Sequence, residues 1–207
     1  MPDPPPSENL RRQLGEIDIY LFDQVLKGRF DSRRRVLDAG CGHGRNLVYF
    51  LRTGFEVFAV DSDQSAVRAM RALAARLRPD LPEGNIQVCS LDALPWSGES
   101  MDAVISSAVL HFAADEVEFG RLLTEMWRVL VRGGILFARL ASSIGIERLL
   151  PAPTGRVRLP DGSDRFVVSE RMLLDWSARL GGTLIEPIKT TNVQNQRCMT
   201  TWCLEKR

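Results

Sequence analysis

The 207-residue sequence predicts an α/β fold, a mostly parallel sheet with helices on both faces. Three observations carry that expectation. Short β-prone apolar runs alternate with helical patterns through the body of the chain. One of them, Val36-Leu37, leads into Gly40, Gly42 and Gly44 at alternate positions. Another, Ala103-Val104-Ile105, is the near-continuous apolar stretch of a central parallel strand covered on both faces.

The stretch RVLDAGCGHG, residues 35–44, reads as a buried strand, a tight turn and then a helix from Arg45 to Leu51. A strand, turn and helix N-terminus gather unpaired backbone N–H groups at one spot, and the missing Cβ atoms let a ligand approach the chain. About twenty residues after Gly40, the run Val57-Phe58-Ala59-Val60 ends in Asp61. A carboxylate at the end of the neighbouring parallel strand can accept hydrogen bonds from ribose hydroxyls. The pair reads as a nucleoside site. Its spacing is GxGxG, preceded by Asp38, and not the GxGxxG of dinucleotide folds, so the ligand need not carry a pyrophosphate.

These segments come in a recognisable order: VLDAGCGHG, AVDSD, CSLDALPW at Cys89 to Trp96, MDAVISSAVLHF and LLTEMWRVLVRGGILF. The chain resembles the class I S-adenosylmethionine-dependent methyltransferases over most of residues 33–140. The resemblance implies a Rossmann-like, mostly parallel seven-stranded sheet in which the last strand enters antiparallel between the fifth and sixth. It also implies S-adenosyl-L-methionine as cofactor and S-adenosyl-L-homocysteine as product. Asp38, Gly40, Cys41, Gly42, Asp61, Ser62, Leu91, Asp92, Ala93 and Ser107 are the cofactor-binding residues it marks. Asp61 would hold the ribose, Asp92 the exocyclic amino group of adenine, and Leu91 and Ala93 the face of the ring. It does not identify the methyl acceptor.

At 44% hydrophobic residues, 207 residues suffice for one sizeable core, and residues 10–207 are expected to form a single methyltransferase-like domain. A balance of 27 basic against 26 acidic residues gives no electrostatic case for a polyanionic partner. Four cysteines do not form a disulfide framework, which favours reduced thiols in a cytoplasmic protein. No apolar run is long enough to span a bilayer. Residues 1–9, MPDPPPSEN, lack the basic and apolar parts of a secretory signal and read as a disordered leader.

Residues 10–29 read as one helical segment with Leu14, Ile17, Leu21 and Val25 at helical spacing. In the family such a segment often lies over the cofactor, which makes Tyr20, Phe22 and Asp23 candidate pocket residues; equally, an amphipathic helix can simply cover a sheet edge. Asp63 or Ser62 is placed to cap a helix from Gln64 to about Arg78, whose Arg68, Arg71, Arg76 and Arg78 read as a solvated face. A further helix covers Asp115 to Leu130, and Ser169 caps one over Glu170 to Leu180. Two strands, about Thr183 to Ile188 and Arg197 to Leu204, close the chain.

His111 follows the central strand at the carboxyl edge where ligands of α/β sheets bind. It is the candidate catalytic and acceptor-contacting residue, although a histidine hydrogen-bonded to a backbone carbonyl would look the same in sequence. Residues 141–168, broken by Pro151, Pro153, Gly155, Pro160 and Gly162, form a candidate substrate-side insert. Within it Arg165 joins Tyr20 and His111 as a substrate-binding candidate, since a fixed arginine can recognise a carboxylate or phosphate. The mixed signs of the insert argue against a strong anionic funnel. No metal is indicated, because Cys41 and His43 lack companions for a ligand set.

The function expected is direct in-line methyl transfer, with a small molecule the preferred acceptor and protein or RNA left open. Two rivals belong to other classes. A non-catalytic S-adenosylmethionine-binding or partner-regulating protein would keep the cofactor site alone. A small nucleotide-dependent oxidoreductase is disfavoured by the GxGxG spacing and the closing hairpin.

Overall fold

The computed structural model describes residues 6–207. Positions 1–5 of the expected leader lie outside the described residues. Packing divides the chain into two compact units, Met1–Leu91 and Asp92–Arg207, taken here in turn.

The first unit opens with two helices where one was expected, α1 (Pro6–Leu14) and α2 (Ile19–Leu26). The break has a local cause. Gly15 adopts φ +68°, and Asp18 caps α2 by accepting a hydrogen bond from the Tyr20 N–H. Three parallel strands follow, β1 (Arg35–Ala39), β2 (Glu56–Asp61) and β3 (Ile86–Val88), with β2 between the others. The register Asp38↔Ala59 and Ala39↔Val60 sets the carboxyl ends of β1 and β2 side by side. Between β1 and β2 lies only a short α3 (Val48–Arg52), so the glycine turn does not open directly into the helix expected from Arg45. Helix α4 (Gln64–Leu77) is capped by Asp63, whose carboxylate accepts from the Ser65 N–H at 2.7 Å. Its buried stripe is Ala66, Val67, Met70 and Ala74. Two of its arginines depart from the solvated face expected of them: Arg71 donates to the Ile86 carbonyl and Arg78 to that of Phe55, bracing strand ends.

The second unit is built on β4 (Met101–Ser107), helix α5 (Glu116–Val129) and β5 (Leu130–Ser142), with β4 and β5 parallel. Asp115 caps α5. The insert folds as a hairpin of β6 (Gly155–Arg158) and β7 (Asp164–Val167). It is anchored through Val157, Leu159 and Val167, which pack with Ala141, Ile146 and Cys198, and through Phe166, stacked on Phe119 at 5.4 Å. Ser169 caps α6 (Glu170–Arg179) by accepting from the Met172 N–H. The chain closes with β8 (Gly182–Leu184), β9 (Lys189–Val193) and β10 (Arg197–Lys206). Strand β10 runs antiparallel between β5 and β8, as the resemblance implies. The fully buried Trp202 sits on β10, its indole N–H donating to Ser177 Oγ at 3.1 Å.

The fold class is the expected one: mostly parallel strands, flanking helices and an antiparallel final strand. Among the described residues the main sheet has eight strands against the seven expected, because β9 pairs with β10 beside the path of the others. No described helix is long and apolar enough to cross a membrane.

Two glycines of the turn separate packing from backbone strain. A Cβ at Gly44 would collide with Met70 Sδ and lie 2.9 Å from Leu73 Cδ2, at φ +80°; at Gly42, φ +50°, nothing lies within 4 Å. Gly44→Ala is therefore expected to destabilise the protein by about 1–3 kcal/mol or more through overpacking added to strain, and Gly42→Ala by about 1 kcal/mol through strain alone. Denaturant unfolding of the two variants beside the wild type checks the order.

Candidate functional site

The glycine turn differs from the expectation in one chemical respect. Its amides are already used: the Gly40 and Cys41 N–H groups both donate to the Val60 carbonyl at 2.9 Å, and Gly44 N–H donates to the Cys41 carbonyl at 2.9 Å. Gly42 N–H donates to Asp61 Oδ2, also at 2.9 Å. The turn is thereby sewn to the end of β2, and the ligand-binding capacity lies in carboxylates more than in open N–H groups.

Asp61 is the first of these. Its Oδ1 accepts from the Asp63 N–H at 2.9 Å while Oδ2 takes the Gly42 N–H, so both oxygens are fixed by backbone donors. A carboxylate oxygen has two lone-pair directions, and each therefore keeps one acceptor position. The group is half-buried and pre-oriented, a geometry suited to a vicinal diol.

Asp38 is the second. It is 1% exposed, and neither carboxylate oxygen has a hydrogen-bond partner among the described residues. Burial raises its pKa to about 7, opposed by Arg45 and reinforced by the charge of Asp61. A buried acid with no partner carries a large desolvation cost, and a cationic or hydrogen-bond-donating ligand group would offset it. Cys41, buried beside it, has its thiol pushed up by burial and by the negative Asp38 and Asp61. The shift favours the protonated thiol over the nucleophilic thiolate.

Two residues that the sequence reading did not single out tie α2 to this turn. Asp18 N–H donates to Asn46 Oδ1 at 3.0 Å, and Arg45 lies 3.9 Å from the buried Asp18 carboxylate. Asp18 was findable as a cap just before an apolar helical run; Asn46 carried no signal. Tyr20 is half-buried on α2, Ser62 is exposed, and Leu91 is half-buried at the end of the first unit.

The remaining predicted residues lie in the second unit. Asp92 and Ala93 are exposed, and Asp92 pairs with Arg121 at 3.5 Å. Ser107 is buried at the end of β4. His111 and Arg165 are brought together: both line a cavity of about 400 Å³ whose wall also includes Phe112, Arg139, Asp161 and Arg197. His111 is 5% exposed, its Nδ1 is buried without a partner among the described residues, and its ring packs edge-on against Phe112. Burial first, and then the positive Arg165, lower its pKa to about 4. The imidazole is neutral at pH 7.

Comparison with known proteins adds the following. A family model described as a methyltransferase domain matches residues 37–138. A probable S-adenosylmethionine-dependent methyltransferase of Mycobacterium tuberculosis is 31% identical over 140 residues, 64% of this chain and 47% of that protein. A tRNA U34 carboxymethyltransferase of Alcanivorax borkumensis is 29% identical over 172 residues, 82% of this chain and 51% of that protein. The chain thus spans about half the length of these curated relatives. Among solved structures, a Burkholderia thailandensis 1,6-didemethyltoxoflavin-N1-methyltransferase with bound S-adenosylhomocysteine superposes with a TM-score of 0.70 at 18% identity. That superposition covers 97% of this chain and 82% of the other, and at such identity it speaks to the fold alone.

The state of Asp38 has a measurable consequence without any ligand. Its folded pKa of about 7 lies above the ordinary 3.8, so between these values the folded carboxyl holds a proton that the unfolded chain releases. Stability falls as pH rises through that window, and the cost of the buried charge is complete above pH 7. Asp38→Asn is expected to raise the melting temperature of the ligand-free protein at pH 8, with the difference shrinking toward pH 5. Melting curves of both proteins at the two pH values check it.

Proposed function

Because the chain belongs to the class I S-adenosylmethionine-dependent methyltransferases, we propose that it catalyses in-line transfer of a methyl group to a small-molecule acceptor. Bound S-adenosylmethionine supplies the chemistry, an electrophilic methyl group on a sulfonium whose sulfur is the leaving group. The observation that carries the reading is the pair of acids in the first unit. Asp61, fixed by two backbone N–H groups, suits the ribose hydroxyls. Asp38, buried and without a partner, suits a positively charged part of the same ligand. Both chemical features are present in S-adenosylmethionine, so the residues fit the cofactor that the family implies.

The chain's own contribution is binding, orientation and exclusion of water. Gly40, Cys41 and Gly42 shape the turn, and Asp38 holds charge out of solvent. In this reading Leu91, Asp92, Ala93, Ser62 and Ser107 are the further cofactor contacts, and Tyr20 on α2 is a candidate contact of the acceptor. Holding a donor and an acceptor at near-attack distance supplies much of the rate for such a displacement. His111, neutral at pH 7, would act as a hydrogen-bonding or proton-accepting group for the acceptor, a role needed only where the attacking atom still carries a proton. A cavity of about 400 Å³ matches a metabolite-sized acceptor.

One observation favours a second reading, in which RNA is the acceptor: the Alcanivorax relative, named for tRNA, aligns with 82% of this chain. The near-neutral net charge of +1 supports the small-molecule reading over it.

Methyl-labelled S-adenosylmethionine, incubated with the protein and either a small-metabolite extract or bulk tRNA, separates these readings. Label is expected in the small-metabolite fraction, with transfer reduced at least about 100-fold in Asp61→Ala, as for loss of a charged contact of several kcal/mol. Label confined to tRNA would replace the acceptor proposed. Cofactor binding by calorimetry with no transfer to either would favour a binding protein.

A further inference from the structure

We infer that the cavity around His111 and Arg165 recognises its ligand through an anionic group, a carboxylate or a phosphate, taken up by the Arg165 guanidinium. The inference rests on the reading of this cavity as the acceptor pocket and narrows the acceptor to a class.

The charged residues of the wall are Arg139, Arg165 and Arg197 against Asp161, three positive to one negative. Asp161 is committed elsewhere. Its Oδ1 accepts from both the Ser163 N–H at 2.9 Å and the Ser163 hydroxyl at 2.6 Å, and its Oδ2 lies 3.7 Å from Arg197. Arg165 feels the charge of Asp161 but forms no ion pair with it, and the groups in direct contact with its guanidinium are uncharged. Its guanidinium lies over the Phe112 ring, 5.0 Å from the centroid, and Nη1 donates to the Asp164 carbonyl at 2.7 Å. Aromatic stacking and a backbone acceptor fix the plane of the guanidinium without neutralising it. No salt bridge joins Arg165 to an acid among the described residues.

The histidine beside it does not supply the missing negative charge. His111 is neutral, and its buried Nδ1 has no partner among the described residues. A half-buried, pre-oriented guanidinium in a concave site where arginines outnumber acids is a fork for a planar anion.

The hairpin explains why Arg165 is held there. It stands at the register pair Val157↔Arg165, between a buried Val157 and the buried Phe166 that stacks on Phe119. The apolar anchoring of β6 and β7 thus fixes the position of Arg165 in the cavity wall.

Benzoate, phenyl phosphate and the uncharged isostere benzamide are suitable probes for the full chain, read by calorimetry and by arginine side-chain NMR. Benzoate or phenyl phosphate is expected to bind and to shift the Arg165 Nε resonance, with the tighter of the two identifying the group preferred. Benzamide is expected to bind at least ten-fold more weakly. Arg165→Gln should lose the preference for the anion, and Arg165→Lys should keep part of it. Equal binding of benzoate and benzamide, or an anion preference unchanged in an Arg165→Gln protein whose melting curve shows it folded, would overturn the inference. S-adenosylhomocysteine binding, measured on the same samples, is a separate readout. Its absence in the wild type would remove the methyltransferase reading and leave the anion preference to be judged by itself.

Discussion

The constraint on which the site depends is a carboxylate buried without a partner. Asp38 sits at the end of β1, in a strand whose other buried positions are apolar, and nothing among the described residues satisfies either oxygen. A group of that kind costs stability in the ligand-free protein, and packing alone gives no reason for it. The turn that follows is organised to leave Asp38 as it is. The backbone N–H groups of Gly40 and Cys41 go to Val60 and that of Gly42 goes to Asp61, so none is spent on Asp38. Asp61 is held from two sides, and neither oxygen of Asp38 has a partner among the described residues.

The fold was legible because its signals are local and repeated. Apolar β-prone runs, Asp63 and Ser169 as caps, and the closing strands each appear where a few neighbouring residues decide the outcome. Some departures are local: the helix expected from Arg45 is delayed to Val48, and Gly15 with Asp18 splits the N-terminal segment into two helices. Others fell where distant contacts decide. Arg71 and Arg78, polar and helical, looked solvated, yet they reach strand carbonyls fifteen and twenty-three residues away in sequence.

The same division runs through the site. The spacing marked Asp38, Asp61 and the glycines as candidates, but the consumption of the turn's amides was not readable, since it depends on the register of β1 against β2. Arg165 and His111 are 54 residues apart by their numbers, and only folding of the β6–β7 hairpin places both on one cavity wall. The mixed charges of the insert concealed this. Asp161 and Asp164 balance the arginines in composition, but Asp161 is hydrogen-bonded to Ser163 and Asp164 faces Arg158, so neither forms an ion pair with Arg165 among the described residues. Charge counted along a segment does not describe charge presented to a cavity.

The central claim is that Asp38 carries an unsatisfied charge which the cofactor relieves. Carbon-13 NMR titration of the Asp38 carboxyl, with and without S-adenosylhomocysteine, tests it directly. The account predicts a pKa of about 7 in the free protein, in keeping with burial, and a clear fall once the ligand is bound. An ordinary value near 3.8 in the free protein, or a raised value that the bound ligand leaves unchanged, would contradict it.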